Sequence, residues 1–181
     1  MKKISCVLLA FVLLCVSASC GGSKEEPSGG SEDKGISFVT TDLKGNSYSS
    51  EDIFKEHDIT LVNLWGTYCG PCIREMPDLQ ILDERLKEKN CAVVGIVIDV
   101  PTAKDSGMVR TAEAVIEETG VKYLNLVYWD GIFEVFPAEF IPTTYLVDSD
   151  GNILGEPSVG ARGADEYEKL VDDALKKAAE Q

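Results

Sequence analysis

Apolar and polar positions fall into blocks along this chain, and the period within each block predicts what it becomes. Leu61 to Trp65 and Ala92 to Asp99 are nearly continuous apolar runs, the signature of strands buried on both faces. Between them Met76, Leu79, Leu82 and Leu86 recur at helical spacing, ending near Lys89 and Asn90, which predicts an amphipathic helix. Met108, Ala112, Val115 and Ile116 predict a second helix stopped by Gly120, and Tyr167, Leu170, Val171, Ala174, Leu175 and Ala178 a terminal one. Shorter signals predict a hairpin of 36–41 and 47–50 through Lys44-Gly45-Asn46, a short helix over 51–56, and a hairpin of 143–148 and 152–155 across Ser149-Asp150-Gly151. Strands that alternate with helices and finish in an antiparallel hairpin predict an α/β fold, a mixed sheet with helices on both faces.

The amino-terminal residues follow another pattern. Lys2 and Lys3 precede a 13-residue, mostly apolar run from Ile4 to Val16, too short and wrongly flanked for an ordinary membrane span, so it predicts a secretory signal. Ser17-Ala18-Ser19-Cys20 then resembles a bacterial lipoprotein cleavage site, at which Cys20 becomes the lipidated first residue. Ser17 stands where that pattern usually has leucine, so ordinary secretion is the alternative. Gly21 to Gly35 holds Gly, Ser, Glu, Asp and Lys with one Pro and no apolar side chain. It predicts a disordered tether spanning on the order of 20 Å. The expected division is a signal peptide over 1–19, a lipidated cysteine and tether over 20–35, and one domain over 36–181.

Removing the signal takes away two lysines and no acid, moving the net charge from −14 to −16. A phosphate backbone repels such a chain, which argues against nucleic-acid binding. Cys6 and Cys15 leave with the signal, and Cys20 is claimed by the lipid, so Cys69, Cys72 and Cys91 remain. That odd count describes one working pair and a spare, with Cys91 read as a buried small hydrophobe.

The pair is Cys69-Gly70-Pro71-Cys72, which follows the apolar run ending at Trp65 and opens the first long helix. Unpaired N–H groups and the peptide dipoles at a helix start favour a thiolate, and two residues of spacing let the sulfurs close reversibly. Pro71 has no backbone donor but suits a helix's first turn. Rival chemistries fail on their own requirements. Haem attachment needs a histidine where Ile73 stands, and a zinc site needs four ligands where only Cys91 and His57 could join the pair. Peroxidatic peroxiredoxins carry a threonine three residues before their cysteine, where this chain has Gly66.

The strand, Trp65-Gly66-Thr67-Tyr68, the Cys69–Cys72 motif, a helix with Pro77, and Ile141-Pro142-Thr143-Thr144 far downstream together resemble the thioredoxin superfamily. Asn63 in place of an acid, Arg74-Glu75-Met76-Pro77 and the leader resemble its membrane-anchored TlpA and ResA type, over roughly residues 36 to 178. The resemblance implies a three-layer thioredoxin-like fold, a mixed sheet covered on both faces, with an amino-terminal hairpin extension. It implies an extracytoplasmic thiol-disulfide oxidoreductase needing no cofactor, with Cys69 attacking a substrate disulfide and Cys72 resolving the mixed disulfide. It makes Pro142 a cis-proline that turns the Ile141 backbone toward the dithiol; without it, a trans proline that starts a strand serves as well. Glu75 lies three residues after Cys72, close enough on a helix to take its proton, or it simply favours the helix dipole. Trp65 and Tyr68 either wall the dithiol or pack the core.

Implied partners are a membrane electron donor of the CcdA or DsbD type and disulfides of exported proteins, such as apocytochrome c or methionine sulfoxide reductase. The Gly-Pro pair and Ile before Pro142 resemble reducing relatives rather than strongly oxidising ones. An oxidase or isomerase, or a non-catalytic lipoprotein that binds a partner or metal through its thiols, is the alternative.

Overall fold

Every residue of the strand Ile59–Trp65 is buried, Thr60 and Asn63 included, so its apolar run marks the middle of a sheet. The structure, a computed structural model, describes residues 35–180. The expected signal, Cys20 and the tether before Gly35 lie outside the described residues. The elements in chain order are β1 (Val39–Thr41), β2 (Ser47–Ser49), α1 (Ser50–Phe54), β3 (Ile59–Trp65), α2 (Gly70–Leu86), β4 (Cys91–Val97), α3 (Ser106–Thr119), β5 (Leu124–Val127), α4 (Ile132–Val135), β6 (Thr143–Asp148), β7 (Ser158–Val159) and α5 (Ala164–Ala179).

The five-stranded sheet has the order β5-β4-β3-β6-β7. β3 pairs in parallel with β4, and β4 with β5, while β6 runs antiparallel to both β3 and β7. The expected mixed sheet is present, and the hairpin β1–β2 extends it through a bridge from Asp42 to Leu126 on the β5 edge. Side chains alternate across the pleat, giving two cores. Leu61, Trp65 and Val93 face Met76, Leu79 and Leu82 of α2, Ala112 of α3, and Tyr167 and Val171 of α5. Val62, Leu64 and Ile96 face Phe54 of α1, Ile132 of α4, Phe136 and Tyr145. The register sets Thr144, Asn63, Gly95 and Asn125 side by side in one row.

Two elements carry no signal in the pattern: β5, four residues interrupted by Asn125, and the one-turn α4. One expectation is corrected. The strand partner of β6 expected over 152–155 is reduced to a bridge between Val147 and Ile153, and pairing resumes only at Ser158–Val159. Pro157, without an N–H to give a ladder, lies in the detour between them. The chain enters the domain beside this hairpin, where the Ile36 amide donates to the Gly151 carbonyl at 2.8 Å.

Candidate active site

Trp65 ends β3, and its carbonyl accepts from the Ile98 amide at 2.9 Å. Beyond it the chain turns, held from the side by Asp99, whose carboxylate accepts from the Thr67 amide at 3.1 Å and from the Thr67 hydroxyl. The turn delivers Cys69 to the position that caps α2, where its Sγ accepts from the Cys72 amide at 3.2 Å. An orphan donor of the helix start is therefore aimed at the sulfur, the arrangement that favours a thiolate once the pair is reduced. Pro71 occupies the first turn, and at Gly70 the nearest group a Cβ would meet is the Arg74 guanidinium at 3.3 Å.

Cys69 and Cys72 are joined by a disulfide. Cys72 is fully buried and Cys69 is 6% exposed, so the first sulfur is the one a partner can reach, through a narrow opening. The Ile141–Pro142 bond is cis, and the Ile141 carbonyl oxygen lies 3.6 Å from Cys69 Sγ. The two candidate wall residues part ways. Trp65 is wholly buried beneath the motif, its Nε1 donating to Asn125 Oδ1 at 2.9 Å, whereas Tyr68 is exposed on the rim. Gly66 fits a third contact: a Cβ there would come within 3.1 Å of Ile141 Cδ1 and 3.2 Å of Tyr68 Cε1. A threonine has no room in that place without displacing one of them.

Glu75, one turn beyond Cys72 on α2, is 3% exposed. Its Oε1 accepts from Asn63 Nδ2 at 2.9 Å, and its Oε2 from the Arg162 amide at 3.1 Å and the Tyr167 hydroxyl at 3.2 Å. Burial pushes its carboxyl up to about 7; the donors from Asn63, Arg162 and Tyr167 oppose the rise, and the Asp78 charge adds to it. A group balanced there exchanges protons near neutrality. Burial and the nearby Glu75 charge hold the Tyr167 phenol well above its ordinary range. Of these partners the sequence marks Asn63 only as standing in place of an acid and Tyr167 only as a helix position, and the Arg162 amide leaves no trace in a side-chain pattern.

Cys91 is buried, free and far down the sheet, with burial pushing its thiol up. Among the described residues no group of three or more His, Cys, Asp or Glu side chains could hold a metal ion.

The profile of the AhpC/TSA family matches residues 32–155. The chain belongs to the AhpC/TSA family. Within this thioredoxin-superfamily group it is similar to a thiol-disulfide oxidoreductase ResA of Bacillus cereus, 27% identical over 162 residues, covering 86% of this chain and 89% of that protein. Among solved structures it is similar to a thiol:disulfide interchange protein of the thioredoxin family from Chlorobium tepidum. That match has a TM-score of 0.65 at 23% identity and covers 78% of this chain and 95% of that one. A secreted disulfide oxidoreductase of Mycobacterium tuberculosis, homologous to DsbE of E. coli, matches with a TM-score of 0.59 at 19% identity, covering 75% and 95%. The fold of this AhpC/TSA member is thioredoxin-like, and it is a thiol-disulfide oxidoreductase of the ResA-like kind.

Proposed function

We propose that this protein reduces disulfides of exported proteins outside the cytoplasm, held to the membrane by a lipid on Cys20. The observation that carries the reading is a buried carboxylate, Glu75, one turn behind a buried thiol, Cys72, beneath a helix-capping Cys69. The Cys69 thiolate attacks a substrate disulfide; one substrate sulfur leaves with its electron pair and Cys69 is joined to the other. Cys72 then gives its proton to Glu75 as its sulfur attacks Cys69 Sγ. The bond to substrate breaks, the substrate leaves as a thiolate that takes a proton from solvent, and the Cys69–Cys72 disulfide remains. Ile141, Pro142 and Tyr68 form the rim on which the substrate segment lies, with Gly70 and Pro71 shaping the helix start and Trp65 its floor.

The signal over 1–19 and the tether over 20–35 support the location, as does the secreted relative of the same fold. The Gly-Pro pair and Ile141 support the reducing direction. A reductase spends its dithiol in each cycle, so the reading requires a membrane donor of the CcdA or DsbD type, with apocytochrome c or methionine sulfoxide reductase as candidate acceptors. Cys72→Ser should trap exported proteins covalently on Cys69, identifiable after non-reducing separation, while Cys69→Ser traps none. The wild-type protein, kept reduced, should catalyse reduction of insulin. Absence of turnover, together with partner binding that survives the loss of Cys72, would replace the enzyme by a thiol-binding protein.

A further inference from the structure

The resolving step leaves a proton on Glu75, and that proton has no way out through the front. Cys72 is fully buried and Glu75 nearly so, and while a mixed disulfide exists the substrate itself sits over Cys69. The back is as deeply buried but holds a chain of hydroxyls. Behind Glu75 the Tyr167 hydroxyl lies 3.2 Å from Oε2, and Thr144 Oγ1 lies 3.0 Å from the Tyr167 oxygen. Asn63 Nδ2 closes the ring, donating to Glu75 Oε1 at 2.9 Å and to Thr144 Oγ1 at 3.0 Å. Both amide hydrogens of Asn63 are thus committed, so the Thr144 hydroxyl accepts from Asn63 and must send its own hydrogen elsewhere. Tyr167 is one outlet. The other is a groove of about 840 Å³ between α5 and the β6 hairpin, whose lining includes both Thr144 and Tyr167 and four acidic side chains, Asp58, Asp148, Glu156 and Asp173.

We propose that Tyr167 and Thr144 are positioning residues that relay the proton of Glu75 to water in the groove beneath α5. The inference rests on Glu75 acting as the base for Cys72. In the resting state the hydroxyls point inward, Thr144 to Tyr167 and Tyr167 to the carboxylate. Once Glu75 is protonated both turn outward; the proton passes from Oε2 to the Tyr167 oxygen, the Tyr167 hydrogen to Thr144 Oγ1, and the Thr144 hydrogen to water. One proton has entered from Cys72 and one has left, each hydroxyl keeps a hydrogen, and the carboxylate is restored. The four carboxylates around the groove supply acceptors that hand the proton on to solvent. Chemistry and proton exit thereby use two different openings on the side of the sheet that α2 and α5 cover, and a bulky protein substrate does not have to leave before Glu75 is reset.

The test is single-turnover oxidation of the reduced full-length protein by an aromatic disulfide whose leaving thiolates stay unprotonated near neutral pH, following disulfide closure and proton release to an indicator dye. Tyr167→Phe and Thr144→Val keep size and remove one hydroxyl each. Closure precedes the relay and should stay near the wild-type rate in each, while proton release to the dye should lag behind it about tenfold or more; release in the double variant should be no slower than in the slower single, because the hydroxyls act in series. Proton release in mixtures of light and heavy water should depend non-linearly on deuterium content in the wild type and linearly in either variant. A residue that merely tunes Glu75 would slow closure itself, with release keeping pace; relay residues uncouple the two. Should Tyr167→Phe fail to fold, Thr144→Val alone carries the comparison. Release that keeps pace with closure in either folded variant, or multiplicative losses in the double, overturns the relay. Glu75→Gln separates the two levels. If it closes at the wild-type rate, the base assignment falls and the relay with it; if it is slow while both hydroxyl variants are normal, only the relay falls.

Discussion

Glu75 is the residue at which stability and chemistry pull in opposite directions. Its carboxyl sits near 7 against an ordinary value of 4.5, chiefly because burial disfavours the charge. The folded state therefore holds this proton more tightly than the unfolded chain does. The associated stability is fully present below about pH 4.5 and is lost as pH rises through 7, amounting to about 3 kcal/mol. Glu75→Gln, which has no charge to bury, should gain about that much relative to wild type between pH 4.5 and 8, read from denaturant melts of the oxidised protein. A difference that does not change with pH would mean that the carboxylate is not disfavoured by its surroundings. The same titration should appear in catalysis as an acidic limb near pH 7 that Glu75→Gln abolishes, measurable in the pH profile of insulin reduction. At this scale the sequence was a partial guide. The spacing of Cys69, Cys72 and Glu75 is visible because a helix converts spacing into proximity, whereas Asn63, Tyr167 and the Arg162 amide meet Glu75, and Thr144 meets Asn63 and Tyr167, only through strand register and the docking of α5.

Among the elements, β3 and β4 were legible and β5 was not, for one physical reason. Strands buried on both faces write a continuous apolar run, but a four-residue edge strand carrying Asn125 writes almost nothing. Asn125 is there to serve its neighbour across the sheet. Gly95 lies beside Asn125 in the row, and a Cβ at that position would come within 2.2 Å of Asn125 Oδ1 and 3.1 Å of Trp65 Nε1. The bare backbone of β4 is what lets the amide reach the indole. Gly95→Ala should force the Asn125 side chain aside and strand a buried indole donor, at a cost of about 2 kcal/mol. Thermal melts and Trp65 emission, with Trp129 removed by substitution, would register it; an unchanged melt would mean that Asn125 has somewhere else to go. The β6 partner illustrates the opposite error. Asn152-Ile153-Leu154-Gly155 after the Ser149-Asp150-Gly151 turn reads as a returning strand, yet pairing depends on where the chain can return, and Pro157 lies before the return at Ser158.

For the molecule as a whole, charge is one-sided, with a net of −14 over the chain. Arg85 and Lys89 on the α2 side meet Asp165, Glu168 and Asp172 of α5, but exposed pairs of this kind add little each. Self-repulsion should outweigh them, so raising salt from about 10 to 200 mM should raise the melting temperature; a fall would show that the helix-to-helix pairs dominate. The overall architecture was readable because block order alone constrains a mixed sheet. How the molecule is oriented for its work follows from the amide of Ile36 on the carbonyl of Gly151. In the antiparallel pair, Thr143 lies beside Leu64 and Asp148 beside Ile59, so the chain's point of entry and the sulfurs occupy opposite poles, about 20 Å of strand apart. A label or fusion joined ahead of Ile36 should therefore leave the approach to Cys69 unhindered, whereas one grafted into the loop around Ile141 should block it.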